Sequence, residues 1–214
     1  LGTIAQINAF ALGAQMTNPR AKVYLEWSTL KEQDIEKRID EIDPNCISGK
    51  DIIVPDDNNH FYGVYHRESG GGEQKNLAMP LCHWGKFYEE LIRIIMAGNW
   101  EQDNDVEKAI NYWWGMPTGV VDVICSKKLP AGTVRLVNVL KHNYKTGQFH
   151  TFTDQMYAQG HILKEKKGET LSPEEVIEMD WLAENIIGRI PKIEELQEQA
   201  KPVLTQQGIE TRKG

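Results

Sequence analysis

Stretches of helical period and stretches of strand period alternate along this 214-residue chain, and that alternation points to a layered α/β architecture. Residues 3–16 place Ile4, Ile7, Ala11, Leu12 and Ala14 at near-helical spacing and stop at Asn18-Pro19. Residues 21–27 alternate as a strand does and deliver Trp27, Ser28 and Thr29 to its C-terminal end, where ligands collect in α/β sheets. A charged helix is expected at 33–42, then a short strand at 47–54 that carries Asp51. Strands are expected at 61–65 and 76–81. His83-Trp84-Gly85-Lys86 then opens a helix that runs to about Met96 and closes at Gly98. After a strand at 120–125 come a helix at 133–144 and a hairpin from 149–152 and 160–163 that carries Asp154. Ser172-Pro173-Glu174-Glu175 has the form of a capped helix start, with the helix running to about Ile187, and a polar helix is expected at 191–206. The order suits an α/β layer with a partly parallel sheet that is incomplete at its start, because no strand precedes the first helix.

Bulk properties exclude several classes of function. The net charge is -7 and no basic stripe is present, so nucleic acid is not expected as a partner. The basic run from Lys164 to Lys167 is short and reads as a solvated loop. Gly70-Gly71-Gly72 lacks the Lys-Ser/Thr ending of a phosphate-binding loop and reads as a surface turn. No stretch approaches the roughly 18 consecutive apolar residues of a membrane span. The chain starts at Leu1, directly before a helix-like segment, so a natural N-terminus with a signal sequence or lipid anchor is expected upstream. Cys46, Cys82 and Cys125 are odd in number and far apart, which is neither a disulfide framework nor a metal knuckle. His83 follows Cys82 directly, and neighbouring side chains point apart, so no thiol and base pair is expected there. Among the six histidines none pairs at helical spacing, so no metal is expected.

The stretch Asn111-Tyr112-Trp113-Trp114-Gly115-Met116-Pro117-Thr118-Gly119-Val120-Val121-Asp122 runs an indole pair into a turn bounded by two glycines and then into a strand. Large rings beside freed peptide groups suit a wall on which a flat ligand stacks. A core tryptophan beside a hairpin satisfies the same pattern.

Several collinear segments together resemble the basic membrane protein family, the purine-nucleoside-receptor-like substrate-binding proteins of bacterial ABC transporters. They begin with Asn8-Ala9-Phe10-Ala11-Leu12-Gly13-Ala14, Asn18-Pro19-Arg20-Ala21-Lys22-Val23 and Leu25-Glu26-Trp27-Ser28. Met79-Pro80-Leu81-Cys82-His83-Trp84-Gly85-Lys86-Phe87-Tyr88, Ala97-Gly98-Asn99-Trp100 and Tyr112-Trp113-Trp114-Gly115-Met116 with Gly119-Val120-Val121-Asp122 follow. Met179-Asp180-Trp181-Leu182 and Gly188-Arg189-Ile190 resemble the terminal motif. The resemblance implies an α/β, periplasmic-binding-protein-like fold of type I that closes on a nucleoside or similar solute, catalyses nothing and needs no cofactor. On this resemblance the family's N-terminal lobe is missing before Leu1, and what remains is the second lobe with the elements that return to the first. The chain would then be a partial ligand-binding domain over 1–214, with second-lobe elements at about 1–110. The return crossing, hairpin and C-terminal helices would occupy about 111–214. The implied partners are a small-molecule ligand and an ABC permease, and the implied location is extracytoplasmic, with contact to the membrane only through a lipid anchor.

A receptor for a nucleobase needs an aromatic platform, amide or carboxylate partners for the base edge, and an acid for ribose hydroxyls. Trp27, Trp84 and Trp114 fall at strand ends or strand-to-helix junctions and are the candidate platforms, core packing being the alternative for each. Asp51 is the polar candidate for ribose, or else a turn cap. Ser28 and Thr118 can bond a base edge or their own backbone, and Gly115 and Met116 supply peptide groups in the turn. A cytoplasmic ligand-sensing regulator of the same fold is the alternative function, favoured by three unpaired cysteines. A nucleoside hydrolase would need a metal cluster or a nucleophile-base pair, and the chain shows neither.

Overall fold

The computed structural model describes residues 3–49, 62–70, 73–98 and 115–201, and the side chains of 165–167 are outside the description. Along the chain the elements are α1 (Thr3–Thr17), β1 (Val23–Tyr24), α2 (Ile35–Ile42), β2 (Cys46–Ser48), β3 (Val64–Arg67), β4 (Gln74–Cys82), α3 (Trp84–Met96), β5 (Val121–Cys125) and α4 (Ala131–Lys145). They continue with β6 (Thr153–Ala158), β7 (Ile162–Thr170), α5 (Pro173–Ile177), β8 (Ile186–Ile187) and a 3-10 turn at Ile193–Glu195. The chain divides into two compact units, one built from 1–41 with 150–214 and the other from 42–149.

In the first unit, α1 turns Ala5, Asn8 and Ala11 inward. Their small size lets the segment after α5 lie close against the helix, so that Ala11 packs with Leu182, Ala183 and Ile186. Ile4, Ile7, Leu12, Val23, Leu25 and Trp181 surround that core. Asn8 is fully buried, with every strong polar atom engaged. Its Nδ2 donates to the Trp181 carbonyl at 2.8 Å and to the Met179 thioether at 3.0 Å, and its Oδ1 accepts from Ala183 N–H at 2.8 Å. Strands β1 and β8 pair in parallel, Val23 with Ile186 and Tyr24 with Ile187, while β6 and β7 form an antiparallel hairpin.

The second unit is a four-stranded antiparallel sheet in the order β2-β3-β4-β5, with α3 following β4 and α4 following β5. Lys141 of α4 ties that helix to the sheet, donating to Val123 O at 2.9 Å and pairing with Asp122 at 2.6 Å. Helix α3 half-buries Phe87, Leu91 and Ile94, and it exposes Trp84, Tyr88, Ile92, Ile95 and Met96.

The fold is mixed α/β with several sheets, compatible with a periplasmic-binding-protein-like architecture. Among the described residues the parallel pairing is confined to β1 and β8, so the expected partly parallel main sheet is corrected to an antiparallel one. The short loop between β3 and β4 leaves no length for a crossover and turns the chain straight back. The helix expected to reach Ile187 stops at Ile177, because Asn8 draws Met179 and Trp181 onto α1 and Ala183 bridges to Ala158. Over 191–200, in place of the expected helix, the chain forms the 3-10 turn and a further turn at 198–200; Lys201 is helical, and 202–206 lie outside the described residues. The backbone there serves residues 29–31 instead, with Lys31 N–H on Glu195 O at 3.1 Å and Gln197 N–H on Thr29 O at 2.8 Å. The hairpin forms with its strands shifted toward 153–158 and 162–170.

Candidate functional site

In the first unit a groove of about 250 Å³ opens where the β1–β8 pairing ends. Leu25 N–H extends that pairing by one bond to Ile187 O at 2.9 Å. The next residues, Glu26 and Trp27, face the groove with Gly188 and Arg189. Trp27 is half-buried, and its Nε1–H donates to Arg189 O at 2.8 Å, which fixes the indole as a wall of the groove. Only glycine fits at 188. Its φ is +152°, and a Cβ there would meet Leu25 Cβ and O at 2.9 Å each.

Charges at the groove are matched within the protein. Glu26 accepts from Arg38 at 3.0 Å and also from Gln33. Arg38 pairs with Glu41 at 2.6 Å as well, and these carboxylates raise the guanidinium pKa above its ordinary value. Arg189 forms a two-pronged pair with Glu195. Together with the Lys192 N–H, that guanidinium holds the Glu195 carboxyl down to about 2. Both arginines lining the groove thus meet carboxylates of the chain itself, and the groove presents an indole, a carboxylate and guanidinium edges to a solute. An indole face beside hydrogen-bonding groups has the chemistry to stack and orient a flat polar molecule. Among the described residues no three His, Cys, Asp or Glu side chains gather as a metal site.

The second unit carries another part of the expected site. Cys82 pairs with Val121, and the next residues continue the contact, His83 N–H reaching Val120 O at 2.7 Å. Trp84 and the turn at 115–119 therefore come to one end of this sheet. The turn closes through Gly119 N–H on Met116 O at 3.0 Å, and Thr118 Oγ1 donates to Gly115 O at 3.0 Å. Gly119 has φ +73°, and a Cβ there would stand 2.9 Å from Lys86 Nζ, so the ammonium lies directly on the turn. Trp84 is 60% exposed and meets Phe87 edge-on at 6.0 Å between centroids.

Of the residues expected to bind ligand, Trp27 and exposed Ser28 lie in the first unit, and Trp84, Gly115, Met116 and Thr118 in the second. Asp51 and Trp114 lie outside the described residues. Glu26, Arg38, Gly188 and Arg189 were not foreseen as groove residues. Glu26 and the Gly188-Arg189 pair stood within motifs that carry the family resemblance, whereas no local signal marks Arg38, which reaches Glu26 across twelve residues.

No family model matches the chain. It is 24% identical over 197 residues, 87% of its length, to a purine-binding protein of Brucella abortus (strain 2308). Over 129 residues, 55% of its length, it is 30% identical to a Haloferax volcanii protein provisionally named an ABC transporter glucose-binding protein. The chain spans 54% of the first relative and 31% of the second. Both names describe solute-binding proteins, and the chain is similar to proteins of that kind.

Proposed function

We propose that the protein is a non-catalytic solute-binding protein of an ABC importer, and that its solute is a purine nucleoside or a close relative. The observation that carries this reading is the similarity to a purine-binding protein along 87% of the chain. The Trp27 groove supplies a physical means. A base stacks on the indole, which the bond to Arg189 O holds in place, and Glu26 accepts hydrogen bonds from the N–H or O–H groups of the solute. In this proposal Trp84 and Trp114 are further platforms and Asp51 meets ribose. Ser28, Gly115, Met116 and Thr118 contact polar edges. The proposal includes a two-lobed type I fold of the basic membrane protein family, closure of which presents a surface to the permease, and an extracytoplasmic site held by a lipid anchor. The exposed, unpaired Cys46 and Cys82 favour a second reading, a cytoplasmic sensor of the same ligand, since exported proteins tend to avoid free thiols.

A thermal-shift panel of purine nucleosides, pyrimidine nucleosides and glucose tests the proposal. Purine nucleosides should raise the melting temperature saturably, a ligand at a hundred times Kd adding about 2.7 kcal/mol of apparent stability. A shift with glucose alone, or with no member of the panel, overturns it.

A further inference from the structure

A larger cleft, of about 460 Å³, lies elsewhere in the first unit, between the β6–β7 hairpin and the segment from Glu175 to Trp181. Its walls are held in place from several sides. At one end Ser172 and Glu175 close a capping box, with Ser172 N–H on Glu175 Oε2 at 2.8 Å. At the other, Asn8 fastens both Met179 and Trp181 to α1, so Asp180 is bracketed by two anchored residues. The hairpin is joined to the segment that follows by Gln159 N–H on Leu182 O at 2.9 Å and Glu184 N–H on Tyr157 O at 2.9 Å. A volume of this size falls within the range that accommodates small ligands.

The lining is chemically one-sided. Polar atoms make up the larger part of its surface; Met156, Leu163, Leu171 and Met179 supply the aliphatic part, and Trp181 adds an aromatic face. Among the described residues its charged groups are the carboxylates of Glu175, Glu178 and Asp180 and the ammonium of Lys164. Among the described residues no amide or hydroxyl side chain lines it. The three carboxylates accept hydrogen bonds and donate none, and they outnumber the Lys164 donor, so a purine, whose edge presents both kinds of group, is matched less well than a donor-only ligand. A ligand that only donates, carries positive charge and has an apolar body is well matched. The chain itself puts a cation on the indole, with Lys164 Nζ lying 5.8 Å from the Trp181 ring centroid.

We propose that this cleft is a second binding site, separate from the Trp27 groove, that takes an organic ammonium ion with an apolar stem. Trp181 supplies the cation-binding face, Glu178 and Asp180 the counter-charges, and the methionines and leucines the pocket for the stem. Lys164 is then an internal competitor for the indole.

Calorimetric titration with hexylammonium, with hexanol as the uncharged control, tests the proposal. Saturable one-to-one binding of hexylammonium and none of hexanol is expected. Glu178→Gln with Asp180→Asn should weaken it by about tenfold or more, and Lys164→Met should strengthen it. Trp181→Phe, which keeps an aromatic ring against the core, should weaken it by less than the double charge change. Non-saturable heats, equal response to hexanol, or an equal loss on neutralising Glu36 and Asp40 of α2 would overturn the site, the last by showing that net charge alone is responsible.

Discussion

Replacing Asn8 should destabilise the first unit more than its small size suggests, because its carboxamide substitutes for a peptide group between α1 and the segment at 179–183. In Asn8→Ala the N–H of Ala183, a residue with no exposed surface, loses the acceptor it has at 2.8 Å. An unsatisfied buried donor costs about 1–3 kcal/mol. The Trp181 carbonyl loses its 2.8 Å bond, worth about 0.5–1.5 kcal/mol at a half-buried position. A void of carboxamide size adds to these, while the thioether contact is weak enough to leave out. The total is about 2–5 kcal/mol, or a fall in melting temperature on the order of 10–25 °C for a unit of this size. Asn8→Leu separates the contributions, since it fills the volume and still leaves the Ala183 donor unpaired, so it should cost nearly as much. Urea unfolding followed by far-UV circular dichroism measures both. A loss under about 1 kcal/mol for either variant would refute the reasoning, because it would mean that the Ala183 N–H finds another partner.

Four further outcomes are expected. The Glu195 carboxyl lies at about 2 against its ordinary 4.5, so its ion pair stabilises the fold fully above that ordinary value and the contribution disappears as pH falls toward about 2. Unfolding midpoints of wild type and Glu195→Gln should therefore differ at neutral pH and converge near pH 2. Gly188→Ala forces a side chain into Leu25 at a positive φ and should cost about 1–3 kcal/mol, read by denaturant unfolding. Asp122 is held below its usual pKa by Lys141, so Lys141→Met should raise that pKa toward the ordinary carboxylate value, as carbon-detected NMR titration would show. Met96 is 82% exposed, and Met96→Lys should change stability by no more than about 0.5 kcal/mol by the same unfolding assay.

The elements that were legible in the sequence are those whose stability is local. Helix α3 is expected to bury Phe87, Leu91, Ile94 and Ile95 and to stop at Gly98; the first three are half-buried and Gly98 has φ +72°, both signals lying within the segment itself, whereas Ile95 is exposed. The cap of α5 was equally legible, and its capping box is present. Its length was not, because the stop after Ile177 comes from Asn8, more than 170 residues away. The same holds for residues 193–197, which make one 3-10 turn and then pair their backbone with 29–31 instead of continuing as an α-helix. Strand direction depends on connections between elements, so the antiparallel main sheet could not be read from period alone. At the groove, alternation along 21–27 brought out Trp27, but Arg38 acquires its place only through a contact between elements.

Titrating a purine nucleoside into wild type and Trp27→Ala tests the central claim most directly, with far-UV circular dichroism to confirm that both are folded. The account predicts saturable binding by wild type and a loss of about 1–3 kcal/mol in the variant, the amount that stacking on one aromatic ring supplies. Equal affinity in two folded proteins, or no saturable binding by wild type, would contradict it.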